Sequence, residues 1–353
     1  MNGRSPPTVR DAVRHAVDQA ANRPGQYLLT GSSAPPLEQY EHSGAGRIAH
    51  LRLRPMSLVE QGLSNGEISL HGLFDGEFTR TAASGSLSSI AQWVCRGGWP
   101  SSLTRSLEDA LYLPGQYLEA VAEDNAPRSG KAPAMTRRVI ASLARNNTKA
   151  ATITTLSRDM CGDDVTSESS PARSTTQSYI DMLQREFIIE ELPCWDGPVK
   201  SRNRLRVKPK RYFVDPSLAV SALGINPRRL LGEGQIFGDM FENLVIRDLL
   251  VYTSAWIGVD NPHVYFYRDD KGLEADAIIE LADGRWSAIE IKLGENGVPD
   301  GVRSLMKVRD KIMANPYSQQ QEPSFLMVVV GNGAFAYRTE EGVYVAPITT
   351  LGA

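Results

Sequence analysis

Asp276, Glu290 and Lys292 offer two carboxylates and an amine that could act on one substrate. They fall on two predicted strands, 273–281 and 286–293, joined by Ala282-Asp283-Gly284. Whether they meet depends on the register of that hairpin. In the first strand the apolar residues are odd-numbered: Leu273, Ala275, Ala277, Ile279 and Leu281. In the second they are odd again: Ile289, Ile291 and Leu293. One shared apolar face requires odd positions opposite odd positions. A three-residue loop with Gly284 in the left-handed conformation meets that requirement and pairs Leu281 with Arg285. Asp276 is then expected directly opposite Glu290, with Lys292 diagonal to it. A two-residue Asp-Gly turn would send the two acids to opposite faces. Facing carboxylates repel unless something neutralises them. Mg²⁺ takes one or two carboxylates plus water and phosphate oxygens. Asp276 and Glu290 are therefore the expected metal ligands. Lys292 is expected to orient or help deprotonate an attacking water, or to stabilise a charged phosphate. The competing reading is a solvated strand face, on which Glu and Lys commonly alternate.

Glu242 extends the set. It lies in a predicted helix, 235–252, that is apolar nearly all round. A glutamate there is expected to be partly buried, and buried acids have partners. Arg247, Lys292 and the metal are the options. A second feature is the run Lys200, Arg202, Arg204, Arg206, Lys208, Lys210, with a cation at every other position. In an extended chain all six share one face. Such a face suits a nucleic-acid backbone, because each neutralised phosphate releases counterions. It equally suits an edge strand kept soluble by charge.

The elements that must position these residues can be read along the chain. Residues 9–21 form an amphipathic helix, with Thr8 as its N-cap. Strands are expected at 27–30 and 48–53, a loop over 64–90, and helices around 90–94 and 107–121. Helices at 134–145, 152–161 and 175–186, followed by a strand at 187–191, have the outline of a winged helix-turn-helix, or of a plain helical linker. After residue 228 the pattern is α/β: helix 235–252, strands 263–268, 273–281 and 286–293, helix 298–314, strand 324–330, and a hairpin over 334–338 and 342–348.

Composition narrows the function classes. The chain has 353 residues, 41% hydrophobic, with a net charge of −3. It is long enough for several cores and is not a globally cationic DNA binder. Cys95, Cys161 and Cys194 lie far apart and lack CxxC spacing, so neither a disulfide framework nor a zinc knuckle is expected. The five histidines show no HExxH pattern. No apolar run is long enough to span a membrane and no signal peptide opens the chain, so a cytoplasmic location without membrane partners is expected.

The arrangement of Asp276, Glu290-Ile291-Lys292 and Glu242 resembles the PD-(D/E)XK restriction-endonuclease-like core. The resemblance implies that Asp276 and Glu290 hold metal, Lys292 activates water and Glu242 assists. The residue before Asp276 is Ala275, so the nominal proline is absent.

The whole chain further resembles bacterial and archaeal AAA-type ATPases with a C-terminal domain of unknown function of this nuclease-like fold. The matching stretches are Leu28-Leu29-Thr30-Gly31-Ser32, His42-Ser43-Gly44-Ala45-Gly46-Arg47, Leu53-Arg54-Pro55-Met56-Ser57-Leu58, Gly97-Gly98-Trp99-Pro100, Asp215-Pro216-Ser217, Phe237-Gly238-Asp239-Met240-Phe241-Glu242, Tyr267-Arg268-Asp269 and Gly272-Leu273-Glu274-Ala275-Asp276. The resemblance implies that Thr30 and Ser32 sense a γ-phosphate and that Arg47 is an arginine finger. No GxxxxGK[ST] is present, so ATP is not expected to bind tightly or to be hydrolysed.

The expected architecture is multidomain α/β: a truncated P-loop AAA remnant (1–62), a helical linker or lid (63–132), a winged-helix-like domain with the basic strand (133–215) and a nuclease-like domain (228–353). The expected function is a Mg²⁺-dependent, nucleic-acid-directed phosphodiesterase. The alternative is a non-catalytic nucleic-acid-binding or regulatory partner of an ATPase that retains the nuclease-like fold only, and the expected partners are nucleic acid and an ATPase subunit or a second copy.

Overall fold

The computed structural model describes residues 9–20, 25–31, 49–161, 171–195, 207–256, 262–315 and 320–353. Strand β7 (Phe325–Val330, FLMVVV) is buried at every position. That continuous apolar run is what a strand covered on both faces needs. It lies inside a six-stranded sheet of order β4-β5-β6-β7-β9-β8, formed by β4 (His263–Arg268), β5 (Glu274–Glu280), β6 (Trp286–Lys292), β7, β8 (Tyr337–Arg338) and β9 (Tyr344–Pro347). The first three strands form an antiparallel meander. Strands β6, β7 and β9 run parallel, which requires a crossover helix between β6 and β7.

That helix is α12 (Val298–Met313), and α11 (Gly234–Ser254) covers the opposite face. Ala277, Ile279, Ile289, Ile291, Met327 and Val329 share a core with Phe241, Leu244, Val245 and Leu249 of α11. Ile278, Ala288, Val328 and Val330 share a second core with Val302, Leu305 and Val308 of α12. Odd and even positions thus build separate layers, as the strand period of two dictates.

The remaining elements are mostly helical. They are α1 (Val9–Gln19), α2 (Leu70–Phe74), α3 (Leu87–Arg96), α4 (Leu107–Ala120), α5 (Ala126–Arg128), α6 (Pro133–Arg145), α7 (Ile153–Asp159), α8 (Arg173–Arg185), α9 (Pro216–Ala222) and α10 (Pro227–Gly232). Strands β2 (Ile189–Leu192) and β3 (Lys210–Phe213) form an antiparallel ribbon after α8. The ribbon joins edge strand β4 through Trp195 N–H to Phe266 O (2.6 Å) and Phe266 N–H to Pro193 O (3.0 Å). Short strands β1 (Ile68–Ser69) and β10 (Leu351–Gly352) pair in parallel and tie the early segment to the end of the chain. The result is a multidomain α/β architecture with helical and sheet regions. The expected helices and strands after residue 87 form within a few residues of the expected bounds.

An ionic latch holds the helical and sheet regions together. Arg247 on α11 contacts Asp215 at 2.8 Å and Asp248 at 2.6 Å, all three being 1% exposed or less as residues. Asp215 also accepts from Gly98 N–H (2.9 Å), and Asp248 from Leu58 N–H (3.0 Å). Met56 N–H donates to Gly98 O at 2.7 Å. A Cβ on Gly98 would stand 2.2 Å from Met56 O, so the close approach requires glycine there. Several stretches that carry the family resemblance, around Met56, Gly98, Asp215 and Phe237, therefore serve packing.

Three expectations fail. Residues 27–31 and 49–54 are irregular and largely exposed, not strands. Parallel strands exist only where neighbouring strands satisfy their backbone groups, and among the described residues none pairs with these segments. Residues 64–90 are not simply loop, because Ile68, Leu70, Leu73 and Phe74 bury against the core and Ser69 caps α2. Arg247 is not a partner of Glu242, since among the described residues both its charged contacts are in the latch.

Candidate active site

The β5–β6 hairpin takes the register that the apolar pattern selects. Ala277 pairs with Ile289, Ile278 with Ala288, Ile279 with Ser287 and Glu280 with Trp286. The three-residue loop closes through Leu281 N–H to Arg285 O (2.8 Å) and Gly284 N–H to Leu281 O (3.0 Å), with Gly284 at φ +90°.

One position departs from the simple ladder. Between Tyr265↔Ile278 and Tyr267↔Ala275, the single residue Phe266 faces both Asp276 and Ala277. Such a bulge bends the strand and re-aims a side chain. The paired positions of β5 and β6 end at Ala277↔Ile289, so Asp276 is not a simple cross-strand partner of Glu290. Instead its Oδ2 accepts Ile291 N–H at 2.8 Å, in the place of a ladder carbonyl. Its negative charge also helps to raise the Glu290 carboxyl.

Glu290 is buried near the C-terminal end of β6. Lys292 Nζ lies 2.5 Å from its Oε2, and Ser304 of α12 donates to its Oε1 at 3.0 Å. Burial first, then Asp276, push the Glu290 carboxyl up to about 7 against the opposing pull of Lys292. Burial alone would lower the Lys292 ammonium, but Glu290 and Asp276 outweigh it and leave it raised.

Glu242 reaches the site from α11. Tyr212 of β3 donates its hydroxyl to Glu242 Oε1 at 2.7 Å, and Lys210 Nζ lies 3.1 Å from the same oxygen. Burial raises the Glu242 carboxyl to about 7, with Lys210 opposing and Asp276 adding to the rise. Lys210 also lies 2.6 Å from Glu274 and 3.9 Å from Asp276, with its side chain 6% exposed. Its own ammonium is pushed down by burial and up by Glu242, Asp276 and Glu274, and the rise wins. Burial and then Glu242 carry the Tyr212 phenol well above its ordinary range.

The structure thus brings Asp276, Glu290, Lys292 and Glu242 together and adds four residues that the motif reading missed: Lys210, Tyr212, Glu274 and Ser304. Lys210 corrects the basic-stripe expectation. It is buried among carboxylates, so it does not share a solvent face with exposed Lys208. A sequence signal existed. Lys210 and Tyr212 alternate at the start of KRYFV, and a lysine that shares the inward face with a buried tyrosine requires acidic company. Lys200, Arg202, Arg204 and Arg206 lie outside the described residues, as do Ser32 and Arg47. Thr30 is exposed and irregular.

Among the described residues, no three His, Cys, Asp or Glu side chains form a metal cage. The donor chemistry still fits a hard cation with few protein ligands. Four carboxylates meet two ammonium groups, and two of the carboxylates hold protons far above their ordinary range. Asp276 and Glu290 would hold Mg²⁺, which keeps several waters of its own.

Comparisons with known proteins name no activity. Residues 87–229 match a domain of unknown function, DUF8612, and residues 237–351 match another, DUF4143. The chain is 27% identical over 290 residues to an uncharacterized protein of Mycobacterium tuberculosis and to one of Mycobacterium bovis. The match covers 81% of this chain and 56% of each relative, so the chain spans about half the length of the curated relatives it matches. No solved structure matches the chain. Among the described residues, no helix is long and apolar enough to cross a membrane.

Proposed function

We propose that the C-terminal α/β unit is a Mg²⁺-dependent phosphodiesterase acting on nucleic acid, with a core of the PD-(D/E)XK restriction-endonuclease-like class. On this reading α6, α7, α8 and the β2–β3 ribbon are a winged-helix-like module. The chain is a relative of the AAA-type ATPases that does not itself hydrolyse ATP, since it carries no GxxxxGK[ST].

One observation carries the reading. Lys210, Lys292 and, at 4.0 Å from Glu274, Arg268 supply three positive charges to Glu242, Glu274, Asp276 and Glu290, which leaves one negative charge uncompensated when all ionise. A bound cation offsets this excess of negative charge. The site also lies at the C-terminal end of β6, where β6, β7 and β9 run parallel, the end at which open α/β sheets bind ligands.

When bound, Mg²⁺ would supply charge stabilisation to a phosphate and acidify a water. The protein's own groups do the rest. Ile291 N–H fixes one oxygen of Asp276. Ser304 and Lys292 take one oxygen each of Glu290 and set its orientation. Lys292, the more exposed of the two ammonium groups, is the one that can turn towards a phosphate. Glu242 is held by Tyr212 and Lys210 behind Asp276, and assists through the shared field.

The test is cleavage of labelled single- and double-stranded DNA and RNA with Mg²⁺. Asp276→Ala should reduce the rate at least about 100-fold, the scale of losing electrostatic stabilisation at a reacting phosphate. No cleavage of any form by the unaltered chain would sink the reading.

A second reading rests on Lys210. Its ammonium already occupies the space between Glu242, Glu274 and Asp276, as it would in a non-catalytic protein that binds nucleic acid or an ATPase partner. Salt-dependent binding without cleavage, unchanged by Asp276→Ala, would favour it.

A further inference from the structure

A cleft of about 330 Å³ lies between the irregular segment at residues 49–54 and the β2–β3 ribbon. Arg52 and Arg54 line it together with Glu190, Glu191, Tyr212 and Leu250. The segment is inverted relative to an ordinary surface: Leu51 and Leu53 are 78% and 85% exposed, while both arginines turn inward. Arg52 Nη1 and Arg54 Nη2 reach the same oxygen, Glu190 Oε2, at 3.1 and 2.8 Å. Glu191 is engaged by Arg211 at 2.9 Å. Two guanidinium groups therefore share one carboxylate, and the pair retains a net positive charge. Arg52 Nη2 and Arg54 Nε are buried and have no hydrogen-bond partner among the described residues. A buried charged donor without an acceptor has lost its water and received nothing in exchange. A phosphate presents more acceptor oxygens than one carboxylate and suits the forked arginine geometry. The cleft adjoins the acidic site, since Tyr212 lines it and donates its hydroxyl to Glu242.

We propose that this cleft binds a backbone phosphate of a nucleic-acid strand, with Glu190 as the built-in competitor that holds Arg52 and Arg54 until the strand arrives. The inference rests on the nucleic-acid reading of the adjoining acidic site. Displacing Glu190 gives both guanidinium groups a fuller set of acceptors. The ribbon then holds a strand beside the acids without contributing to the chemistry.

The experiment is fluorescence anisotropy of a labelled single-stranded oligonucleotide on the full chain in EDTA, where no cleavage competes. Glu190→Gln should bind severalfold more tightly, a gain that misfolding cannot produce. The double variant Arg52→Ala/Arg54→Ala should bind about tenfold more weakly, the worth of one charge-assisted contact. Its plot of log affinity against log salt should be shallower by about 0.7, one single-strand phosphate. Inorganic phosphate and a mononucleotide serve as competitors. Arginine-dependent displacement by them supports the site, whereas their binding without any strand binding overturns the strand as its ligand. Affinity of both variants within twofold of the parent, with only a lower melting temperature for Glu190→Gln, would reduce the cluster to a structural tie. The same strand is then tested with Mg²⁺. Cleavage with arginine-independent binding removes the cleft and keeps the nuclease, and arginine-dependent binding without cleavage does the reverse.

Discussion

Glu290 concentrates the physical conflict of this protein at a single residue. Its carboxyl is buried beside Asp276 and sits at about 7, above the ordinary 4.5. Between those values the folded state holds a proton that the unfolded state has released. Stability therefore falls as pH rises through that window, by roughly 3 kcal/mol for a shift of this size. Thermal unfolding of the metal-free chain should show the melting temperature declining from about pH 5 to pH 7.5, and Glu290→Gln should remove about half of the decline, since Glu242 is raised to about 7 as well. Mg²⁺ should restore stability at pH 7.5 and have little effect at pH 5, where the carboxyl is protonated. An Mg²⁺ effect equal at both values would contradict the metal reading. Lys210 is the residue that motif reading misjudged. Alternate spacing placed it on a cationic face, but spacing does not say which face of a strand meets acids on other elements.

At the scale of elements, the β5–β6 hairpin and the ionic latch decide the geometry. Gly284 adopts φ +90°, where any side chain is strained. Gly284→Ala should lower stability by about 1–2 kcal/mol and leave the register intact, because the buried odd and even layers select it independently. Denaturant unfolding measures the first, and backbone amide shifts of β5 and β6 the second. The latch is a harsher case. Asp215→Ala leaves the Arg247 charge buried with Asp248 as its remaining ionic partner, and should cost about 3–5 kcal/mol. A loss below about 1 kcal/mol in a urea melt would mean that water or a rearranged side chain replaces Asp215.

For the whole molecule, the instructive feature is a hydrophobic core that crosses the expected domain boundary. Leu118, Val139 and Leu183 of the helical region belong to the same buried cluster as Phe241 of α11 and Ile279 of the sheet. Residues 87–353 should therefore unfold in one calorimetric transition. Two resolved transitions would show that the latch and the shared core couple the regions only weakly. The expected units at 133–215 and 228–353 describe the order of elements well, but a boundary drawn from linker composition does not reveal which cores merge.

The features legible in the order of residues are local and periodic. Odd-numbered apolar residues specified the hairpin register, and the apolar run at Phe325–Val330 specified a strand. Helical periodicity specified α3, α4, α6, α7, α8, α11 and α12 within a few residues, but not the short α5, α9 and α10. These follow from periods of two and 3.6, which any folded chain must obey. Only the tertiary structure decided that a bulge opposite Phe266 turns Asp276 towards Ile291 N–H, that Lys210 enters the acidic site, that Arg247 serves the latch and that Arg52 and Arg54 turn inward. Each of these is settled by charges meeting across long stretches of chain. The energy of such a meeting depends on burial and distance, neither of which is encoded in local spacing.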